Sequence, residues 1–306
     1  MVKNDFHQRV GSRLLLLGVA VFVLLVVNRN VSYAVITGPD PPPELDQYLA
    51  AIADLTQASP LVKIPEGWFF MGTIRKYDDP FGLETQFDNT EFPQRRIWLD
   101  AYFMDRDEVS MGEYLAFLTR EKRDVSGQLR RLIWHLILVH ALPDYVMAHW
   151  PALYVTWTEA SDLCQARGKR LPTEAEWEKA ARGSEGNLFP WGTAAPDSDL
   201  AVFHLYHVHE IPLVAAVDSW EEGRSPYGLN HMAGNIGEWV QDWFGFDYYV
   251  IMPERNPLGP PTARYKGVRG GSWRSKPHML RTATRNGATP DKRSPTIGFR
   301  CAQSAF

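Results

Sequence analysis

The chain has 306 residues, 45% of them hydrophobic and 12% aromatic, with a formal net charge of −4. That is enough apolar material for a sizeable core, too ordered a composition for disorder, and too little positive charge for a phosphate-backbone partner, so nucleic acid is excluded. The 11 Trp and 23 Gly point to aromatic anchors joined by turns, with little long repetitive structure.

At the N-terminus, Lys3, Arg9 and Arg13 precede the apolar run Leu14 to Val27, and Ser32-Tyr33-Ala34 fits the small-residue rule of a signal peptidase site. The run is shorter than the roughly 20 residues of an ordinary span, yet Asn28, Arg29 and Asn30 suit outer headgroups. Residues 1–36 are therefore read as a signal peptide or a membrane anchor. Either places the body on the periplasmic or extracellular side, secreted in the first case and tethered in the second. Pro39 and Pro41 to Pro43 make an extended spacer within 37–60, which ends in an amphipathic helix carrying Leu45, Tyr48, Leu49, Ile52 and Leu55.

From Leu61 onward, Trp68 to Met71, Ile97 to Met104 and Leu213 to Val217 read as strands. Ser110 with Glu113, and Thr173 with Glu176, are capping boxes that open helices, the second running to Gly183. A further helix begins at Thr158, carries Cys164 and ends at Gly168. Within 121–150 the apolar residues Leu129 to Leu142 lie almost consecutively, which predicts a helix apolar nearly all round. Such a helix is either buried in the core or docks on another subunit or the membrane, with Leu132, Leu136 and Val139 as contact residues. The chain has only two cysteines, Cys164 and Cys301, and in an oxidising compartment one long-range disulfide is their natural use.

Several strings converge on one family. Ile64-Pro65-Glu66-Gly67-Trp68-Phe69-Phe70-Met71-Gly72, Arg96 to Asp100, Asp107-Glu108-Val109-Ser110, Gly168-Lys169-Arg170-Leu171-Pro172-Thr173-Glu174-Ala175-Glu176-Trp177-Glu178, Pro190-Trp191-Gly192, Tyr227 through Gly234-Asn235 to Glu238-Trp239, Arg269-Gly270-Gly271-Ser272-Trp273 and Gly298-Phe299-Arg300-Cys301 occur in order. Over residues 61–306 the chain resembles the formylglycine-generating enzyme, or sulfatase-modifying factor, superfamily. The resemblance implies an irregular α+β domain related to C-type lectins, with 121–150 as a hydrophobic insertion.

The enzymes of that family hold Cu(I) with two thiolates in the loop after the Gly-Gly-Ser-aromatic motif, soft ligands that this ion requires. Here the loop, Trp273 to Arg281, has no cysteine and Ser275 stands where the first thiolate is expected, so copper and formylglycine-generating activity are not expected. His278 and Met279 are too sparse a pair to replace the thiolates. The resemblance also pairs Cys164 with Cys301 in a structural disulfide. It brings calcium as a cofactor, held by hard oxygen ligands: a first site at the Gly234 and Ile236 carbonyls with Glu238, where His231 replaces the usual amide, and a weaker one at Asp218 and the Trp220 carbonyl, where Val202 replaces an Asn.

His204, His207 and His209 form the only histidine cluster and are candidate ligands of a transition metal. The expected function is a non-catalytic, periplasm-facing accessory or interaction subunit of a membrane-associated complex. An oxidative metalloenzyme using iron or copper, and a glycan-binding module on the lectin-like scaffold, are the rivals.

Overall fold

A computed structural model of the chain describes residues 41–74, 89–205 and 213–305. The signal or anchor segment lies outside them, as do His207 and His209. Among the described residues no helix is long and apolar enough to cross a membrane.

Helix α1 (Leu45–Asp54) buries Leu45, Leu49 and Ile52, so the amphipathic stretch ahead of the domain forms part of its core. Four strands follow: β1 (Leu61–Ile64), β2 (Gly67–Met71), β3 (Arg95–Leu99) and β4 (Tyr102–Asp105). The single strand expected over Ile97 to Met104 is two, because β3 pairs with β2 while β4 pairs with β1 in another sheet. Asn256 accepts the Asp100 amide at the break, 3.0 Å away.

The capping boxes place helices where expected. Ser110 and Glu113 start α2 (Met111–Arg120), and each satisfies a backbone amide of the other. Helix α3 (Gly127–His140) ends at Ala141 in a left-handed conformation, and Pro143 then caps α4 (Asp144–Ala148). Helix α5 (Trp157–Ala166) begins before Thr158, because Thr156 and Glu159 form a third capping box. Thr173 and Glu176 open α6 (Glu174–Arg182).

The rest of the fold is β5 (Gly237–Trp243), a short α7 (Tyr248–Ile251), β6 (Lys266–Arg269), β7 (Arg285–Ala288), β8 (Ile297–Gly298) and β9 (Ala302–Ser304). The described sheets have orders β1-β4-β9, β2-β3 and β7-β6-β5-β8, antiparallel except for the β5–β8 pair. Residues 213–217 do not form the expected strand. The Ala215 amide donates to the Asn235 side chain, 2.9 Å away, so a side chain and not a ladder satisfies this backbone.

One apolar cluster packs α1 to α5 against Trp239 and Phe299, and a second packs β2, β3 and Trp177 of α6 together. In α3 the residues Leu129, Leu132, Ile133 and Leu136 share one buried stripe at helical spacing. Leu132 and Leu136 are 4% and 1% exposed. Their assignment to a partner surface is corrected: both belong to the core, because the insertion joins the apolar cluster shared with α1, α2 and α5 and Arg130 ties it to Asp46 of α1. Leu138 and Val139, at 46% and 57% exposure, point the other way. Cys164 of α5 and Cys301, just before β9, form a disulfide with Cα atoms 5.6 Å apart.

Candidate functional site

The loop after Gly270-Gly271-Ser272 is shaped by its glycines. Gly271 has φ of 72°, and a Cβ there would lie 3.0 Å from Leu280 Cδ2 and 3.2 Å from Ser275 Oγ. Ser275 and Leu280 therefore meet over the same glycine. The Ser275 hydroxyl accepts the Ser272 amide at 2.9 Å and the Ser275 amide donates to the Ser272 carbonyl at 2.8 Å, closing a tight turn. A 3-10 turn from Pro277 to Leu280 carries the half-buried His278 and Met279. Arg281 then makes a two-pronged ion pair with buried Glu91, at 2.7 and 2.8 Å, which clamps the loop to the chain before β3.

The place where the resemblance puts the first thiolate thus holds a hydroxyl, with the Leu280 isobutyl group beside it over Gly271. Both cysteines of the chain are spent in the disulfide. The residues present do not fit Cu(I), which needs soft donors.

His204 lies beside this loop. Its amide donates to the Ser275 carbonyl and the Leu205 amide to the Trp273 carbonyl, both at 2.9 Å, so Val202 to Leu205 runs along Trp273 to Ser275. Its ring stacks on Phe203. Among the described residues no group of three His, Cys, Asp or Glu side chains is placed to hold a metal ion.

The first calcium candidate lies where residues 234–238 enter β5. A Cβ at Gly234, with φ of 80°, would meet the Val202 carbonyl oxygen at 2.5 Å, so the turn needs glycine. Glu238, read as the calcium carboxylate, has both oxygens occupied: Arg300 Nε and a terminal guanidinium nitrogen each donate at 2.8 Å, and Trp177 Nε1 donates at 2.8 Å. Arg300 is fully buried and also donates to the Arg106 and Asn230 carbonyls.

The oxygen a hard cation would find is on Glu108. Its Oε2 accepts from the Asn235 amide at 2.6 Å, while Oε1 is buried without a hydrogen-bond partner. Burial first, and the neighbouring Glu238 charge second, push Glu108 well above the usual carboxylate range. Glu108 is the functional candidate that the sequence reading missed. The sequence carries no signal for it, since Glu108 follows the charged run Asp105-Arg106-Asp107 and reads as a solvated residue. It also lines a cavity of about 70 Å³ with Ser59, Asp107, Glu113, His149 and Asp218. Glu108 and the Gly234 to Glu238 turn are joined through the Asn235 side chain, and no three His, Cys, Asp or Glu side chains converge there among the described residues.

His231, in the place of the usual amide ligand, is buried and turned away from this turn. Nε2 lies 3.1 Å from the Ala216 carbonyl and 3.4 Å from Ser219 Oγ, and the ring packs beside Trp220. Burial lowers the imidazole to about 4, so it is neutral and donates to Ala216. At the second calcium candidate both Asp218 and the position of the expected Asn have other neighbours. Asp218 faces His149 Nδ1 at 3.7 Å, and the Val202 carbonyl already accepts the Asn235 amide.

Helix α6 carries a charge network in the core. Glu174 pairs with Arg285 and Arg269, and Glu178 with Arg269 and Arg182, at distances from 2.6 to 3.2 Å. Burial would raise Glu174, but Arg285 and Arg269 outweigh it and hold it below the usual range. Asp242 donates no such balance: burial and the charge of Glu174 push it up to about 8.

A family model for the sulfatase-modifying factor enzyme 1-like domain matches residues 49–305. The chain is 32% identical over 286 residues to the formylglycine-generating enzyme of Bos taurus, covering 79% of this chain and 74% of that one. It is 28% identical over 291 residues to the inactive C-alpha-formylglycine-generating enzyme 2 of Mus musculus, covering 80% and 86%. Among solved structures, PvdO from Pseudomonas aeruginosa superposes with a TM-score of 0.63 at 21% identity, covering 82% of this chain and all of that one, a likeness of fold.

Proposed function

Because the chain belongs to the sulfatase-modifying factor enzyme 1-like family, we propose that it is a member that does not generate formylglycine and serves as an exported interaction subunit of a membrane-associated complex. The observation that carries this reading is the disulfide: with Cys164 and Cys301 bonded to each other, no thiolate remains for Cu(I). A sulfatase-type cysteine peptide incubated aerobically with the protein, with and without copper, should yield no aldehyde by mass spectrometry. Aldehyde above a protein-free control would refute the proposal.

The partner surface is assigned to the outer end of α3, where Leu138 and Val139 are exposed, as is Tyr145 of α4, the next helix along the chain. Large apolar side chains held in water on rigid helices favour a protein partner. Leu138→Ser together with Val139→Ser should abolish co-purification from native membranes; retained partners would remove this face from consideration. Calcium is proposed at Glu108, supported by its unpartnered buried oxygen.

A second reading, an oxidative metal centre, draws on one observation: residues 202–205 run beside the Trp273 to Ser275 turn, which sets the His204 backbone next to that loop. Stoichiometric iron or copper in the purified protein, lost on His207→Ala and His209→Ala, would favour it over the non-catalytic reading.

A further inference from the structure

Four of the large exposed apolar side chains fall within one short stretch: Phe246, Val250, Ile251 and Leu258, with Ile251 77% exposed. This stretch is not a loose loop. Arg95 of β3 donates to the carbonyls of Tyr249, Val250 and Met252 at 3.1 to 3.3 Å, and the Asn256 amide donates to the Trp98 carbonyl at 2.9 Å. The apolar side chains are thus fixed to the edge of the β2–β3 sheet.

The outward face of that sheet continues the surface with aromatic rings and guanidinium groups. Trp68 and Trp98 are cross-strand partners with ring centroids 5.6 Å apart. Arg96 lies over Trp68 at 4.8 Å and Arg255 over Trp98 at 4.7 Å. Neither arginine forms an ion pair within 4.0 Å of a carboxylate among the described residues, unlike Arg106, Arg130 or Arg293. Each is held by a π face; Arg255 also lies in the field of exposed Asp100, which accepts from Trp98 Nε1 at 3.0 Å, while Arg96 keeps its N–H fork for an external oxyanion. Asp247 and Glu254, exposed in the same stretch, keep the surface from being strongly cationic.

Apolar side chains, half-buried Trp rings and arginines stacked on them, side by side, are the chemistry of a headgroup region, where indoles sit at the boundary and guanidinium groups meet phosphodiesters. The sequence makes that surface reachable. The 17 residues from 28 to 44 separate the apolar run from α1, an extended reach of about 55 Å, against a radius of gyration of about 18 Å for a domain of this size. Every face of a tethered domain can reach the bilayer, so the surface chemistry decides which one rests there.

We propose that the α7 stretch and the Trp68–Trp98 face of the β2–β3 sheet form a second contact with the membrane, binding phospholipid phosphates and the outer acyl boundary. This rests on the membrane-tethered reading above. It gives the domain a fixed orientation, with the contact made by residues that neither the disulfide nor the Gly271 loop uses.

The test uses the full chain in phosphatidylcholine–phosphatidylglycerol nanodiscs, carrying one nitroxide on Ile251→Cys; the native cysteines are bonded to each other and do not label. The oxygen-to-nickel collision ratio at position 251 should rise several-fold above that of a label on Val139→Cys. Arg96→Gln with Arg255→Gln should return it toward the aqueous value while the chain still co-elutes with the discs. A label that stays aqueous in a disc-bound chain refutes the contact and leaves the tether. If the chain stays out of discs, the tether reading falls, and an aqueous label in the presence of vesicles of the same lipids refutes the contact as well. Label–label broadening that is independent of lipid would assign the surface to a second copy of the chain and overturn the proposal.

Discussion

His231 should make the protein lose stability in mild acid. Its imidazole is buried, pinned to the Ala216 carbonyl at 3.1 Å, and lowered from 6.5 to about 4 in the folded state. Below pH 6.5 the unfolded chain takes a proton that the folded chain refuses, so the contribution is intact above 6.5 and is lost progressively as pH falls to about 4. At about 1.4 kcal/mol per unit, the full loss is about 3 kcal/mol. Other groups titrate in the opposite sense: Asp105 and Glu113, raised first by burial, favour folding as they gain protons. The informative quantity is therefore the difference between wild type and His231→Asn, measured by urea unfolding at several pH values from 7.5 to 4. The variant should lack the loss assigned to His231, and the gap between the two curves should change by about 3 kcal/mol across the window. Parallel curves would show that the imidazole is solvated or charged in the folded state, and the account of its burial would be refuted.

The remaining expectations concern the core, the disulfide and the cation. Thiol labelling of the unfolded, unreduced chain should find no free cysteine, and Cys164→Ser with Cys301→Ser, which opens a loop spanning 137 residues, should cost about 5 kcal/mol in the chain-entropy account. Leu132→Ala or Leu136→Ala should each cost about 3 kcal/mol, whereas Val139→Ser should change stability by less than about 0.5 kcal/mol; thermal melts of the three variants decide this. Asp242, raised to about 8, contributes stability that is full below the usual carboxylate range and lost as pH rises toward 8, so Asp242→Asn should flatten the stability profile across that interval. Millimolar calcium should raise the melting temperature relative to chelator, and Glu108→Gln should remove that rise; an equal response in both proteins would displace the ion from Glu108.

What was legible in the sequence were the features encoded within a few residues. Ser110 with Glu113 and Thr173 with Glu176 announced their helices because a capping box is local chemistry. The family strings also carried the fold, since each motif places its own turn or buried anchor. Long-range partnerships were not legible. Glu238 has the composition of a calcium ligand, and only the return of Arg300 from the far end of the chain reveals that its carboxylate is already engaged. The insertion misled for a related reason: its composition is apolar all round, but the buried stripe of Leu129, Leu132, Ile133 and Leu136 emerges only when the apolar cluster shared with α1, α2 and α5 is assembled. Residues 213–217 read as a strand because they are all apolar, yet the Asn235 side chain claims the Ala215 amide that a ladder would have needed.

The central claim is that no oxygen-activating thiolate exists in this member of the family. It is tested most directly by mass spectrometry of a sulfatase-type cysteine peptide after aerobic incubation with the purified, copper-supplemented protein. The account predicts unmodified cysteine indistinguishable from a protein-free control. Conversion of that cysteine to the aldehyde, at a rate proportional to protein concentration, would contradict it.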